Sequence, residues 1–138
     1  MNTEELSKCC FAERERLMNT YFGTLPTEQA IRLDYVGDLI QRMEDEYKQF
    51  LFDLWHKQHP DSKKTMDDIL EKQYNRFSLG REYAAKLNAA FADAKEITLW
   101  EQLTNSNDKD IQHMNALIIA YAKDLLALIT MDFMEDVK

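Results

Sequence analysis

Two stretches of the chain place apolar residues at alternating steps of three and four, and this spacing restricts the folds open to it. The first stretch consists of Leu33, Val36, Ile40, Met43, Tyr47, Phe50 and Leu54. The second consists of Ile111, Met114, Ile118, Tyr121, Leu125 and Leu128. Residues three and four apart lie on one face of an α-helix. Each stretch therefore predicts a long helix that packs one side against other helices.

Capping residues and helix breakers set the bounds of the predicted helices. The first helix extends from about Thr3, interpreted as its N-cap, to about Phe22. A long helix follows over about 27–59, because Pro60 cannot continue it. The last long helix covers about 108–136, after a polar loop.

The segment 63–103 allows more than one interpretation. Thr65 and Asp68 resemble a capping box in which Asp replaces Glu, which indicates a helix start. Ser78 to Gly80 forms either a kink or a break. One continuous helix is the alternative, because one apolar stripe keeps its phase along the segment. That stripe contains Met66, Leu70, Tyr74, Phe77, Ala84, Leu87, Phe91 and Ala94. The number of helices in this segment, one to three, stays open at this point.

These elements predict an all-α fold, an antiparallel bundle of four to five helices in a single domain over 1–138. A chain of 138 residues with 45% hydrophobic residues has enough apolar surface for one core. Its three glycines and two prolines suit a few long elements with short connections. The helix at 108–136 is apolar nearly all round. We interpret it as the central member of a five-helix arrangement, and a face that binds a partner is the alternative.

The charge of the chain bears on its partners. A net charge of −8 repels phosphate backbones and anionic lipids, so we expect no direct binding to nucleic acid or membranes. The first residues do not resemble a signal peptide, and the most apolar run is too short to span a bilayer. Cys9 and Cys10 are adjacent and provide no disulfide framework. A cytoplasmic location is therefore expected.

Two Asp-x-x-His pairs are the nearest approach to a metal motif. Asp53 and His56 lie near the end of the second helix, and Asp110 and His113 near the start of the last. A carboxylate and a histidine three apart share a helix face, as in di-iron bundles, but those sites use Glu and add Glu from further helices. We interpret these residues as ordinary helix-end side chains. A helical-bundle metalloprotein or small-ligand sensor is the alternative.

Catalytic motifs are not recognisable in the sequence. Glycines at 23, 37 and 80 cannot build a phosphate-binding loop, and the sequence contains no nucleophile–base pattern. The sequence therefore predicts a non-enzymatic protein with no cofactor.

The second helix carries apolar residues away from its core face, which predicts a binding surface. At 100° per residue, Phe52 falls roughly 160° from the centre of the core face, with Ile31 on the same side. Trp55 and Tyr35 lie on the flanks. These four residues are the predicted contact site for another protein, with a homodimer as a further option.

The class of function follows from size and charge by association rather than from a site. The prediction is a small acidic inhibitor, immunity, anti-defence or adaptor protein that acts by occupying a partner surface. The partner's identity, the oligomeric state and whether the acidic surface mimics nucleic acid are not determined by the sequence.

Overall fold

The computed structural model describes residues 2–23, 33–70, 75–93 and 108–136, without the side chains at 33–36, 88, 90–93, 108–112 and 136. Over these residues the chain forms five helices and no strand, which confirms the predicted all-α bundle. The helices are α1 (Thr3–Phe22), α2 (Leu33–Gln58), α3 (Met66–Leu70), α4 (Arg76–Asp93) and α5 (Asp108–Asp136). The bounds of α5 are those predicted. The part of the predicted second helix at 27–32 lies outside the described residues.

The cap of α1 is Asn2 rather than the predicted Thr3. Asn2 has an extended backbone, and its Oδ1 accepts a hydrogen bond from the Glu5 N–H at 2.8 Å. Asn is at least as good an N-cap as Thr. The N-cap therefore lies one residue earlier in the chain than we predicted. Glu4 and Glu5 then place negative charge at the positive end of the helix.

The segment 63–103 contains two separate helices over its described part. The predicted capping box is confirmed: the Thr65 N–H donates to Asp68 Oδ2 at 2.8 Å, and the Asp68 N–H donates to Thr65 Oγ1 at 3.3 Å. A new cap stands at Asn75, whose Oδ1 accepts from the Ser78 N–H at 3.0 Å. One continuous helix is therefore wrong, because Asn75 starts α4 independently of α3.

The helix α5 lies at the centre of the bundle and contacts each of the other four helices. This confirms its interpretation as the central member, and it explains why α5 is apolar nearly all round. Its buried residues are Met114, Ile118, Ala122, Leu125, Leu126, Ile129 and Phe133. Among the described helices, none has the length and hydropathy needed to span a bilayer.

Tyr47 joins three helices in the core. It is fully buried, and its hydroxyl lies 2.5 Å from Thr130 Oγ1 on α5. The Thr130 hydroxyl itself donates to the Leu126 carbonyl at 2.7 Å, so Tyr47 is the donor in the first bond. Cys10 of α1 makes a further hydrogen bond with Tyr47. The polar atoms at this point are thus satisfied by side chains of α1, α2 and α5.

Burial of Cys10 leads to a prediction for alkaline pH. Burial raises the pKa of this thiol from 9.0 to about 11, so between these pH values it ionises only in the unfolded chain. Because ionisation then favours unfolding, the free energy of unfolding should decrease as pH rises through this window. We expect a shallower decrease in Cys10→Ala than in the wild type, measured by urea unfolding at a series of pH values. Cys9→Ala controls for the loss of a thiol. Identical slopes for Cys10→Ala and wild type would contradict the assignment.

Candidate binding site

A groove with a volume of about 520 Å³ lies along α4, beside Tyr121 of α5. Its lining consists of Arg76, Phe77, Gly80, Arg81, Ala84 and Tyr121. The five residues of α4 share one helix face by their spacing. At ~1.5 Å rise per residue, the stretch from 76 to 84 gives the groove a length of about 12 Å.

Phe77 forms an exposed wall of this groove. It lies in the first turn of α4, immediately after the Asn75 cap, and 74% of its surface is open to solvent. The apolar stripe that includes Phe77 depended on one continuous helix, and that helix is interrupted because α4 begins anew at Asn75. Asn75 was the signal available in the sequence, since Asn before a helix is a preferred N-cap.

Small residues keep the floor of the groove open. A Cβ atom added at Gly80 would lie 3.8 Å from the Tyr121 hydroxyl, which is an ordinary contact distance. A methyl group would therefore fit at this position, and its absence in glycine enlarges the groove. Ala84, one turn further along, has the shortest side chain available other than glycine.

Arg76 is held at one end of the groove by a buried acid. Its Nε lies 3.2 Å from Glu44 Oε2, and Glu44 is only 1% exposed. Lys48 Nζ lies 3.6 Å from the other carboxylate oxygen of Glu44. Arg76 also hydrogen-bonds to Tyr121, whose pKa is raised chiefly by burial, lowered by Arg76 and raised further by Glu44. This network fixes the orientation of Arg76, and Glu44 balances much of its charge.

Arg81 is held differently, against the face of Phe77. Its guanidinium carbon lies 5.6 Å from the centre of the Phe77 ring, a cation–π distance. Over the described part of the chain, the ion pairs formed by α4 belong to Arg76 and Lys86, and none involves Arg81. Arg14 stacks on Phe11 of α1 at the same 5.6 Å, but that pair lines no described groove. The α1 pair therefore serves as a comparison for the α4 pair, although Arg14 is partly buried and Arg81 is exposed.

The turn of α4 after the groove is anchored to α5 through Tyr83. The Tyr83 hydroxyl donates to Asp124, and its ring lies 5.4 Å from that of Tyr121. Burial, with the adjacent Asp124 carboxylate, raises the pKa of Tyr83 to about 12. The Lys86 ammonium lies over the outer face of the Tyr83 ring at 4.4 Å. These contacts fix α4 against α5 and so preserve the shape of the groove.

Of the predicted contact residues of the second helix, Phe52 and Trp55 have described side chains, and neither is exposed. Phe52 is partly buried, packs against the core and contacts the edge of His56 with ring centres 4.5 Å apart. Trp55 is 5% exposed and belongs to the core. The helical wheel places Trp55 on a flank, and tertiary packing covers that flank. His59 stacks on the Trp55 ring at 4.3 Å, and the Lys64 ammonium lies 5.8 Å from its centre.

Two of the predicted contact residues and one metal candidate fall where side chains are not described. Ile31 lies outside the described residues, and Tyr35 and Asp110 are described only as backbone within α2 and α5. Phe52 therefore remains the one predicted contact residue with a described, partly accessible side chain.

The alternative of a metal site gains no support from the described side chains. Asp53 is exposed and accepts a hydrogen bond from Gln49 Nε2 at 2.9 Å. His56 contacts the rings of Phe52 and Trp55, and His113 is exposed. Across the described part of the chain, no three of these residue types come close enough to hold a metal ion.

Comparisons with known proteins do not add to these observations. No protein-family model, no curated protein and no solved structure matches this chain. The function of the groove is therefore inferred from the chemistry of its own residues.

Proposed function

We propose that the chain is a non-enzymatic protein-binding module and that the groove beside Phe77 is its docking surface. The observation that carries the proposal is Phe77, a phenylalanine 74% exposed in the wall of a groove that also contains Tyr121 and two arginines. Aromatic residues and Arg are enriched in the centres of protein interfaces, where a few such side chains provide most of the binding energy. A partner that covers Phe77 removes its ring from water, which favours association.

The proposed role is that of a small acidic inhibitor, immunity, anti-defence or adaptor protein. In each case the chain acts by covering a surface of another protein, and a second copy of the chain is the alternative partner. The proposed location is the cytoplasm, since Cys9 and Cys10 are both free thiols, which suits a reducing compartment.

Site-specific photo-crosslinking tests the docking surface directly. Benzoylphenylalanine replaces Phe77 in one variant, Phe11 in a second and Phe52 in a third, and each is irradiated in the source cells. Phe11 is the matched control, because it is 56% exposed and stacks with Arg14 but lines no described groove. We expect a discrete crosslinked product with the probe at 77 and none with the probe at 11, detected by immunoblot and identified by mass spectrometry.

The probe position that yields a crosslinked product identifies the docking surface. A product formed only from the probe at 52 would replace the groove by the α2 surface predicted from the sequence. A product of twice the mass of the chain would identify a second copy as the partner. Absence of any product at 77, or equal products at 77 and 11, would contradict the docking role of the groove.

A further inference from the structure

The first two turns of α4 carry two cations, and helix electrostatics disfavours the one in the first turn. The N-terminal end of a helix bears a partial positive charge, so acidic residues there are stabilising and cations are not. Both α1 and α3 follow this rule, with Glu4 and Glu5 in one and Asp67 and Asp68 in the other. The first turn of α4 has no acidic residue. Arg76 and Arg81 instead add two cations to this end.

Only one of these two cations is explained by the packing of the fold. Arg76 is paired with the buried carboxylate of Glu44 and bonded to Tyr121, so it serves the structure. Arg81 forms no ion pair among the described residues, and its contact is the exposed face of Phe77. The positive potential of the groove therefore comes mainly from Arg81 and from the end of α4, and neither is neutralised by a described carboxylate.

The dimensions of the groove limit what it holds. A length of about 12 Å accommodates three to four residues of an extended segment at about 3.3 Å each, or about two helical turns. The walls offer the rings of Phe77 and Tyr121 to an apolar side chain. The guanidinium of Arg81 presents donors in the fork geometry that suits a carboxylate.

We propose that the groove binds a short acidic segment of the partner protein, with an apolar side chain between Phe77 and Tyr121 and a carboxylate on Arg81. This inference rests on the proposed function and specifies its partner. The net charge of −8 disfavours the approach of an acidic segment, but charges more than ~8 Å apart are largely screened at physiological salt, so the local contact decides binding. Contact between Arg81 and a carboxylate occurs well inside that distance.

Selection from a library of short random displayed peptides tests the chemistry without knowledge of the partner. The library is selected against immobilised wild-type protein, and the enriched peptides are synthesised and measured by fluorescence anisotropy. We expect enrichment of Asp and Glu together with an aromatic or aliphatic residue. Replacing the acidic residues of a selected peptide by their amides should weaken binding about tenfold, as loss of a charge-assisted hydrogen bond does.

Two arginine variants assign that effect to the groove. Arg81→Gln should weaken binding of the same peptide about tenfold, whereas Arg14→Gln, at the comparison pair on α1, should leave it unchanged. Arg81 is exposed, whereas Arg14 is partly buried with its Nε enclosed, so circular dichroism must show wild-type helicity for both variants before their binding is compared. A perturbed Gly80 amide signal in NMR spectra should locate the peptide in the groove.

Several outcomes would overturn the proposal. These are enrichment of neutral or basic peptides, no enrichment at all, and equal binding of the acidic and amide peptides. The proposal would also be overturned if a fluorescent oligothymidylate bound the wild type and not Arg81→Gln. Aromatic side chains together with Arg can bind single-stranded nucleic acid by stacking on its bases. If any of these occurs while the probe at 77 still crosslinks to a protein, only the acidic-segment inference fails. If the probe at 77 gives no product, the proposed function itself fails.

Discussion

Replacing Phe133 by alanine is expected to lower the free energy of unfolding by about 3–5 kcal/mol. Phe133 is fully buried in α5, the helix that contacts all four others, so the cavity left by its ring would be surrounded by several elements. Close-packed surroundings relax only partly around such a cavity. A domain of this kind has only about 5–15 kcal/mol of stability, so the loss should be evident in urea unfolding followed by circular dichroism.

Met131 provides the control on the same helix. It is two residues away and 66% exposed, so Met131→Ala should change the free energy of unfolding by no more than about 0.5 kcal/mol. Similar losses for the two variants would mean that α5 is not the centre of the core. That result would contradict the arrangement of the bundle.

Replacing Glu44 by alanine is expected to cost about 3 kcal/mol of stability, the lower end of the range for breaking a buried ion pair. Glu44 is 1% exposed and lies between Lys48 and Arg76. The side chain of Lys48 is only 12% exposed, so removal of the carboxylate leaves a largely buried ammonium without this charge partner. Arg76 is 43% exposed and returns to water more readily, which limits the cost.

An exposed pair with the same spacing supplies the comparison. Glu82 pairs with Lys86 at 3.3 Å across one helical turn, as Glu44 pairs with Lys48, but both of its side chains are about half exposed. Glu82→Ala should therefore cost only about 0.3–0.5 kcal/mol. The double variant Glu44→Ala with Lys48→Met should recover part of the loss, because it removes the buried ammonium. Equal costs for Glu44→Ala and Glu82→Ala would show that burial does not strengthen the pair.

The Glu44 network also links the core to the groove. Because Arg76 is bonded to both Glu44 and Tyr121, the end of the groove nearest Arg76 is tied to the core. Arg81 has no such anchor among the described residues and can reorient toward a bound segment. A groove wall that is already ordered loses little conformational entropy on binding. The guanidinium of Arg81 can still adjust to the bound segment.

Local signals in the sequence were sufficient to predict most of the helices. Each of these signals depends on residues within a few turns of one another. They are the alternating spacing of three and four, the capping box at Thr65 and Asp68, and the apolar residues on all sides of the helix at 108–136. Helix formation, capping and amphipathicity act at that range, so these predictions agree with the structure. The N-cap of α1 was misplaced by one residue, at Asn2, where two adjacent residues are both suitable caps. Local patterns did not decide how the segment 63–103 divides into α3 and α4.

The candidate site depended on contacts that no local pattern contains. Trp55 is buried within the core, with His59 of the next turn stacked on its ring. Phe77 is exposed although it belongs to α4, which starts afresh at Asn75 and is anchored to α5 through Tyr83. Whether an aromatic residue lies in the core or on a surface is decided by which element covers it, and a helical wheel shows only the helix that carries it. The groove itself requires Tyr121 to stand beside Gly80, two residues far apart in the chain and brought together by tertiary packing. The sequence by itself thus determined most of the helices and the class of fold, whereas only the tertiary structure decided which apolar side chains are left for a partner.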